Sequence, residues 1–154
     1  MIGRGSLADY VPLMASLGLV GYAYMTKKKV GLPIELSVCP SGVSKKQGEN
    51  IEVTIYVVNN GAVNPGPVYI GWNLFDKDGN VVALNEEYVE KGLPPGWSTV
   101  SKTSGKIKED AAIGTGKLHV YVVNKEGTIN YAEIDCPIEI RSGIEIKITE
   151  IKVY

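Results

Sequence analysis

Few side chains in this chain are suited to catalysis or metal binding: one histidine, two cysteines and carboxylates dispersed along the sequence. A general base would require His119, the only histidine, beside a nucleophile, but no Ser-His-Asp or Cys-His set can be assembled around it. His119 stands in a run of alternating apolar and polar residues, which indicates the outer face of a strand. The sequence therefore favours a non-enzymatic protein.

The acidic and glycine-rich motifs are better explained as turns than as ligand sites. DKDGN (76–80) lacks the flanking helices and the glycine position of a calcium-binding EF-hand. GTGK (114–117) lacks the other residues of a phosphate-binding loop. Cys39 and Cys136 form no CxxC pair and, with one histidine, offer no zinc site. An acidic rim that could hold a cation would comprise Asp76, Asp78, Glu86, Glu87 and Glu90, but a solvated face is favoured, so we predict no metal and no cofactor.

Composition excludes further classes of protein. The net charge is −1 and both signs are interspersed, so the chain has no basic surface for nucleic acid. With 44% hydrophobic residues it is not a disordered protein. Its 154 residues suffice for one domain with a substantial core.

An uncharged stretch of seventeen residues runs from Tyr10 to Thr26. That is near the lower limit for a helix that spans a bilayer, and glycines within it are tolerated where membrane helices pack closely. We predict an apolar helix and membrane anchor over residues 1–31, in contact with lipid through residues 7–29. The residues expected at the membrane interface are Tyr10, Tyr22, Tyr24, Lys27, Lys28 and Lys29.

Two alternatives to an anchor stay open, a helix buried against protein and a cleaved signal peptide. A signal peptide carries positive charge before its apolar stretch and a small-residue cleavage site after it. Here Arg4 alone precedes the stretch and the lysines follow it, so the anchor is favoured. The positive-inside rule then places the following domain on the cytoplasmic side. That orientation suits a virus that builds its membrane inside the host cell.

Residues 32–154 alternate apolar and polar residues in short runs between turn-forming residues, which is the pattern of half-buried strands. DKDGN predicts a hairpin turn, and the polar segment 40–50 a turn region. Strands are predicted within 32–39, 51–61, 68–75, 81–85, 93–107, 117–123 and 128–140, with one more over 144–153. Seven to eight short strands without a helical period predict an all-β domain, a β-sandwich.

Two segments, ENIEVTIYVVNNGAVNPGPVYIGWNLFDKDGNVV and LPPGWSTVSKTSGKIKEDAAIGTGKLHVYV, resemble the immunoglobulin-like domains of CARDB-type adhesion modules and related archaeal and bacterial surface proteins. The resemblance covers about residues 34–140 and implies an immunoglobulin-like sandwich, with Trp72 buried and Trp97 at the surface. On that layout Cys39 ends the first strand and Cys136 lies in the last. The cysteines form either a bridge that closes the sandwich or two buried thiols.

The C-terminal tail, residues 144–154, places Ile144, Ile146 and Ile148 on one face and then shifts register. It is either a bulged final strand of its own sandwich, which is favoured, or an arm that pairs with the sheet edge of a neighbour. Aromatic residues are enriched at protein contacts. The candidates for partner contacts are Trp97, Tyr88, Tyr121 and Tyr154.

These features predict a membrane-anchored structural protein, a minor component of a membrane-containing virion that links its internal lipid layer to the capsid. The expected partners are the lipid and other structural proteins of the same assembly, in an oligomeric context and without nucleic acid. One alternative is a cell-surface adhesion module that binds glycan or protein through loops 59–67 and 86–97. Another is a pilus-like filament subunit whose apolar N-terminus packs in a fibre core.

Overall fold

A computed structural model describes the side chains of residues 34, 36, 39–144, 146, 150, 152 and 153. This part of the chain is all β, and within it no helix is long and apolar enough to cross a membrane. The helix predicted over residues 1–31 lies outside it. So do the predicted interface residues Tyr10, Tyr22, Tyr24, Lys27, Lys28 and Lys29.

The strands of this region form two sheets. Their bounds are β1 (Ile34–Leu36), β2 (Ser44–Lys46), β3 (Asn50–Asn59), β4 (Val68–Phe75), β5 (Val81–Val89), β6 (Ser98–Lys106), β7 (Gly114–Asn124) and β8 (Ile129–Arg141). The first sheet has the order β1-β3-β6 and the second β8-β7-β4-β5, all antiparallel, while β2 pairs in parallel with the end of β8. This order is that of an immunoglobulin-like sandwich, so the predicted all-β fold is confirmed.

The alternation of apolar residues places the core between the sheets. In β3 the side chains of Ile51, Val53, Ile55 and Val57 are buried, and their neighbours in sequence face outwards. Trp72 of β4 is fully buried, and its Nε1 donates a hydrogen bond to Oγ1 of Thr103 in β6, 2.8 Å away across the core. A Cβ atom at Gly105 would lie 3.0 Å from the Trp72 ring, so the glycine makes room for it. The predicted burial of Trp72 is confirmed.

Several strand boundaries differ from the prediction. Of the predicted first strand, the structure describes Ile34–Leu36. The predicted turn region 40–50 contains the short strand β2, because Ser44–Lys46 pair with Glu139–Arg141 of β8. β5 continues to Val89 because its polar second half pairs with β4 as far as Val68. The extent of β2 is thus set by a strand far away in sequence, and that of β5 by the strand before it in the hairpin.

The chain enters the sandwich at one end and leaves it at the other. Ile34 pairs with Asn59, so the chain enters at the end formed by loops 60–67, 90–97 and 125–128, here called the proximal end. β8 ends at Arg141 at the opposite, distal end, beside the turn 76–80. The thirteen residues of β8 span about 43 Å between the two ends.

Candidate functional site

The proximal end is closed by two loops, residues 60–67 and 90–97, here called the loop platform. Asn59, at the end of β3, is only 2% exposed and joins them. Its Nδ2 donates to the carbonyl oxygens of Val63, at 3.0 Å, and Leu93, at 2.8 Å. Because one buried amide holds both carbonyls, the two loops are fixed relative to each other.

A second asparagine strengthens this connection. Asn64 Oδ1 accepts the N–H of Leu93 at 3.0 Å, and its Nδ2 donates to the carbonyl of Lys91 at 2.9 Å. The side chain of Leu93 is buried and closes the core. The platform therefore presents two apolar side chains on a rigid support, Val63 at 75% and Trp97 at 70% exposure. Exposed aromatic residues of this kind are typical of contact surfaces.

A polar network covers the outer face of the second sheet around His119. The imidazole Nδ1 lies 2.6 Å from Asp135 Oδ1, and Nε2 lies 3.5 Å from Glu133 Oε1. His119 is 8% exposed, although it stands on the outer face as predicted. Both ring nitrogens thus face carboxylates. The arrangement holds the ring in place and presents neither nitrogen to a nucleophile of the described residues.

The charges around Asp135 explain its titration. Partial burial raises the pKa of Asp135, but the hydrogen bond and charge of His119, together with the charge of Lys117, outweigh it and hold the pKa below its usual value. Lys117 Nζ lies 3.8 Å from Asp135 Oδ2. The carboxylate is therefore ionised at neutral pH and orients the imidazole.

Tyr121 extends this network across the sheet. Its ring lies over Gly71, and its hydroxyl donates to Glu86 Oε1 at 2.8 Å. Beside it, the rings of Tyr69 and Tyr88 are 5.1 Å apart between centroids. These tyrosines are half-buried by their neighbours. The outer face therefore offers polar and aromatic groups but no large apolar patch in the described residues.

The turn 76–80 at the distal end is a structural connection. Asp76 Oδ1 accepts the N–H groups of Asp78 and Asn80, and Oδ2 accepts that of Ala112, each at 3.0 Å. Burial raises the pKa of Asp76, but these three N–H donors outweigh it and leave the pKa below its ordinary value. The hairpin is thereby tied to the loop between β6 and β7.

The acidic rim is not formed. The nine residues of β5 separate Asp78 at the distal end from Glu90 at the proximal end. Within the part of the chain that the structure describes, no group of three His, Cys, Asp or Glu side chains is placed to hold a metal ion.

Cys39 and Cys136 are joined as a disulfide, with their Cα atoms 5.3 Å apart. The bond connects the segment between β1 and β2 to β8 of the second sheet. Beside it an apolar cavity of about 230 Å³ lies between the sheets. The cavity is lined by β3, β7 and β8, by Leu36 at the end of β1, and by Pro40 and Val43 between β1 and β2.

Of the predicted contact residues, Tyr88 and Tyr121 lie on one sheet face and Trp97 on the loop platform. Tyr154 lies outside the described residues. Asn59 and Asn64, which join the two loops, were not among the residues predicted from the sequence. Asparagine beside glycine and proline is a recognisable loop signal. The second loop, however, lies about thirty residues away, and nothing in its sequence indicates that it contacts the first loop.

Comparison with known proteins gives no family. No protein-family model matches the chain, and no curated protein matches it, so the CARDB-type resemblance is not confirmed. Similar solved structures include a β-glucuronidase of glycoside hydrolase family 2 (16% identity, TM-score 0.48, covering 79% of this chain and 13% of that one). A putative β-galactosidase from Bacteroides fragilis has 13% identity and TM-score 0.49, with 79% and 18% covered. A Niemann-Pick type C2 protein from the Japanese carpenter ant has 12% identity and TM-score 0.47, with 70% and 89% covered.

The chain thus spans less than a fifth of the two glycosidase chains. Similarity at this level does not bear on function. The assignment of the sandwich rests on its own strand pairing and core.

Proposed function

We propose that this chain is a non-enzymatic structural protein, anchored in a membrane through residues 7–29, that links a lipid layer to surrounding proteins as a minor component of a membrane-containing virion. The observation that supports it is the separation of the two chain ends. The predicted anchor precedes the proximal end, and the tail leaves from the distal end about 43 Å away.

The proximal end suits a position close to lipid. From Lys29 to Ile34 the chain can reach at most about 17 Å, so the loop platform lies near the lysines that end the anchor. Trp97 and Val63 are exposed there, and the exposed Lys91 lies in the same loop as Trp97. Tryptophan and lysine are the residues that membrane proteins place at the headgroup level.

The distal end and the outer sheet face remain for protein contacts. Tyr88 and Tyr121 stand on that face, and the β-patterned tail begins at Ile144. A sandwich held upright on its anchor would keep these groups away from the lipid and towards a protein shell.

The test is membrane retention and protease protection of the full chain produced in bacterial cells. We expect the protein to stay with membranes after a carbonate wash, and the sandwich to be digested only when protease reaches the cytoplasmic face. Leu19→Arg places a charge in the middle of the predicted span, which costs about 2.5–3.5 kcal/mol of insertion free energy. This variant should be released from the membrane.

Ile113→Arg is the matched control, because Ile113 is half exposed at the distal end and the added charge is the same. It should stay with the membrane. A wild-type chain that is washed off, or a sandwich that is digested from outside intact cells, would refute the proposal.

Digestion of the sandwich from outside intact cells would favour the alternative, a cell-surface adhesion module. The observation behind that alternative is the loop platform itself. The two loops are joined by hydrogen bonds and expose Val63 and Trp97, so they form a preorganised binding surface.

A further inference from the structure

One edge of the first sheet is open along most of β3. β6 pairs with β3 from Asn50 to Val58, but on the other side the described residues of β1 pair with Val57–Asn59. Among the described residues no strand pairs with that side of Asn50–Tyr56. The open edge carries neither a proline nor a bulge, the usual devices that protect an edge from pairing.

The disulfide keeps this edge open. Cys39 is bonded to Cys136 in the second sheet, three residues after β1 ends at Leu36. The chain therefore crosses from the first sheet to the second at this point, where β2 then pairs with β8. β1 cannot continue along β3 while the bond is in place.

The gap left beside the edge is apolar. The residues that line the cavity of about 230 Å³ include Leu36, Val43, Val53, Ile55 and Cys136. A cavity of about 150 Å³ accommodates benzene, so this one accommodates roughly two isoleucine side chains. An added strand with alternate isoleucines would fill it and pair with the open edge.

The chain itself contains such a strand in its tail. Ile144, Ile146 and Ile148 alternate with Glu145, Lys147 and Thr149. Ile144 is 72% exposed and Ile146 84% exposed in the single chain. In the sequence, Lys147 alternates with these isoleucines and has the opposite charge to Glu52 of β3, whose side chain is 61% exposed and lies 3.7 Å from Lys102 Nζ.

We propose that the tail of a second copy of this chain adds to the open edge of β3 as an antiparallel strand, with two of its isoleucines in the cavity. The mode is strand addition, in which main-chain hydrogen bonds supply affinity and alternate side chains supply specificity. The inference stands whether or not the N-terminal segment holds a membrane.

A second copy is a better donor than the chain's own tail. The own tail leaves at the distal end, where β3 begins, so after reversing it would run parallel to β3 in a sheet that is otherwise antiparallel. A tail from a neighbour can approach from either direction and continue the line of β1. The exposure of Ile144 and Ile146 in the single chain agrees with this.

The test is the self-association of the full chain in detergent, followed by light scattering, with hydrogen exchange at residues 50–56. We expect the mass to rise with protein concentration and the amides of 50–56 to gain protection in parallel. Ile146→Asp should weaken association at least tenfold and abolish that protection, because a carboxylate would enter the apolar gap. Both readouts are independent of membrane orientation.

Val153→Asp is the matched control. Val153 is 90% exposed in the same tail but lies outside the Ile144–Ile148 repeat, so its variant should associate like the wild type. Equal behaviour of the two variants would overturn the proposal. Protection of 50–56 that is lost in Ile146→Asp but does not depend on concentration would overturn it in favour of the chain's own tail.

Discussion

Three buried side chains join segments that are far apart in the chain. Asn59 holds the two loops of the platform, Asp76 ties the hairpin 76–80 to Ala112, and Trp72 bonds Thr103 across the core. Each of them either accepts N–H groups or donates to oxygens that would otherwise be buried without a partner. Since an unpaired buried polar group costs about 1–3 kcal/mol, these residues decide whether the loops keep their conformation.

The Asp76 connection is tested by Asp76→Asn. We expect the free energy of unfolding to fall by about 1–3 kcal/mol at pH 7, because an amide cannot accept N–H groups at both of its ends. The pKa of Asp76 is lowered in the fold, so its contribution is complete above the unfolded pKa and is lost as pH falls through the lower folded value. The difference between wild type and variant should therefore shrink in acid.

Denaturant unfolding at pH 7 and at pH 3 measures this difference. Asp78→Asn in the same turn is the matched control, since Asp78 is largely exposed, and it should have little effect at either pH. A difference between Asp76→Asn and the wild type that is unchanged at pH 3 would contradict this account.

Which residues are buried could be predicted for apolar side chains and not for these polar ones. The burial of Trp72, which the resemblance to immunoglobulin-like domains implied, is confirmed. Asp76 reads as part of a surface turn, because its third donor, Ala112, is 36 residues away. Likewise the carboxylates that hold His119 lie on a different strand, and only the register of β7 against β8 brings them to the ring.

At the scale of elements, β6 shows why the prediction of faces fails where the core is built from small residues. Val100 is its only apolar residue, and it is half exposed. The inner face consists of Thr99, Ser101, Thr103 and Gly105. A prediction from hydrophobicity alone would place Val100 on the inner face and so assign the side chains of β6 to the wrong faces. The size of the Trp72 ring opposite requires the small side chains, and that information lies in another strand.

The pairing of β4, β5 and β7 is tested by Gly71→Ala. A Cβ atom at this position would lie 2.6 Å from both Glu86 Cβ and the Tyr121 hydroxyl. The Tyr121 ring would have to leave its place, so we expect a loss of about 1–3 kcal/mol of stability. Thermal or denaturant unfolding measures it.

Tyr121→Ala is the partner in a double-mutant cycle. If the clash with the Tyr121 ring causes part of the loss, Gly71→Ala should cost less when Tyr121 is already alanine, while the contact with Glu86 Cβ remains. Equal costs in the two backgrounds would show that the effect arises elsewhere.

At the scale of the whole molecule, the sandwich was predictable because its turn spacing and alternation agree over most of the chain. The open edge of β3 was not predictable, since it depends on the position at which the disulfide holds Cys39. Of the predicted first strand over 32–39, which would lie along that edge, the structure describes Ile34–Leu36. Whether this edge is open depends on the disulfide between Cys39 and Cys136, which are 97 positions apart in the sequence.

Removal of the disulfide tests its part in stability. In an idealised chain model, a bond that closes a loop of 97 residues contributes on the order of 4–5 kcal/mol. We expect Cys39→Ser with Cys136→Ser, or reduction of the wild type, to lower the denaturant midpoint. Thiol alkylation and mass spectrometry give the oxidation state.

The double-serine variant also serves as the control for the reductant, because reductant should no longer change its denaturant midpoint. Free thiols in the purified wild type, with a midpoint that does not respond to reductant, would mean that the cysteines are unpaired in solution.

The position of this bond also determines how the sandwich would carry a mechanical load. Force applied between the two ends of the chain would enter at Ile34 and leave at Arg141. Between Cys39 and Cys136 the covalent path is the disulfide, and the strands β2 to β7 lie in the closed loop beside it. When oxidised, the protein would transmit tension from one end to the other along a short cross-linked path and leave most of its fold unstretched.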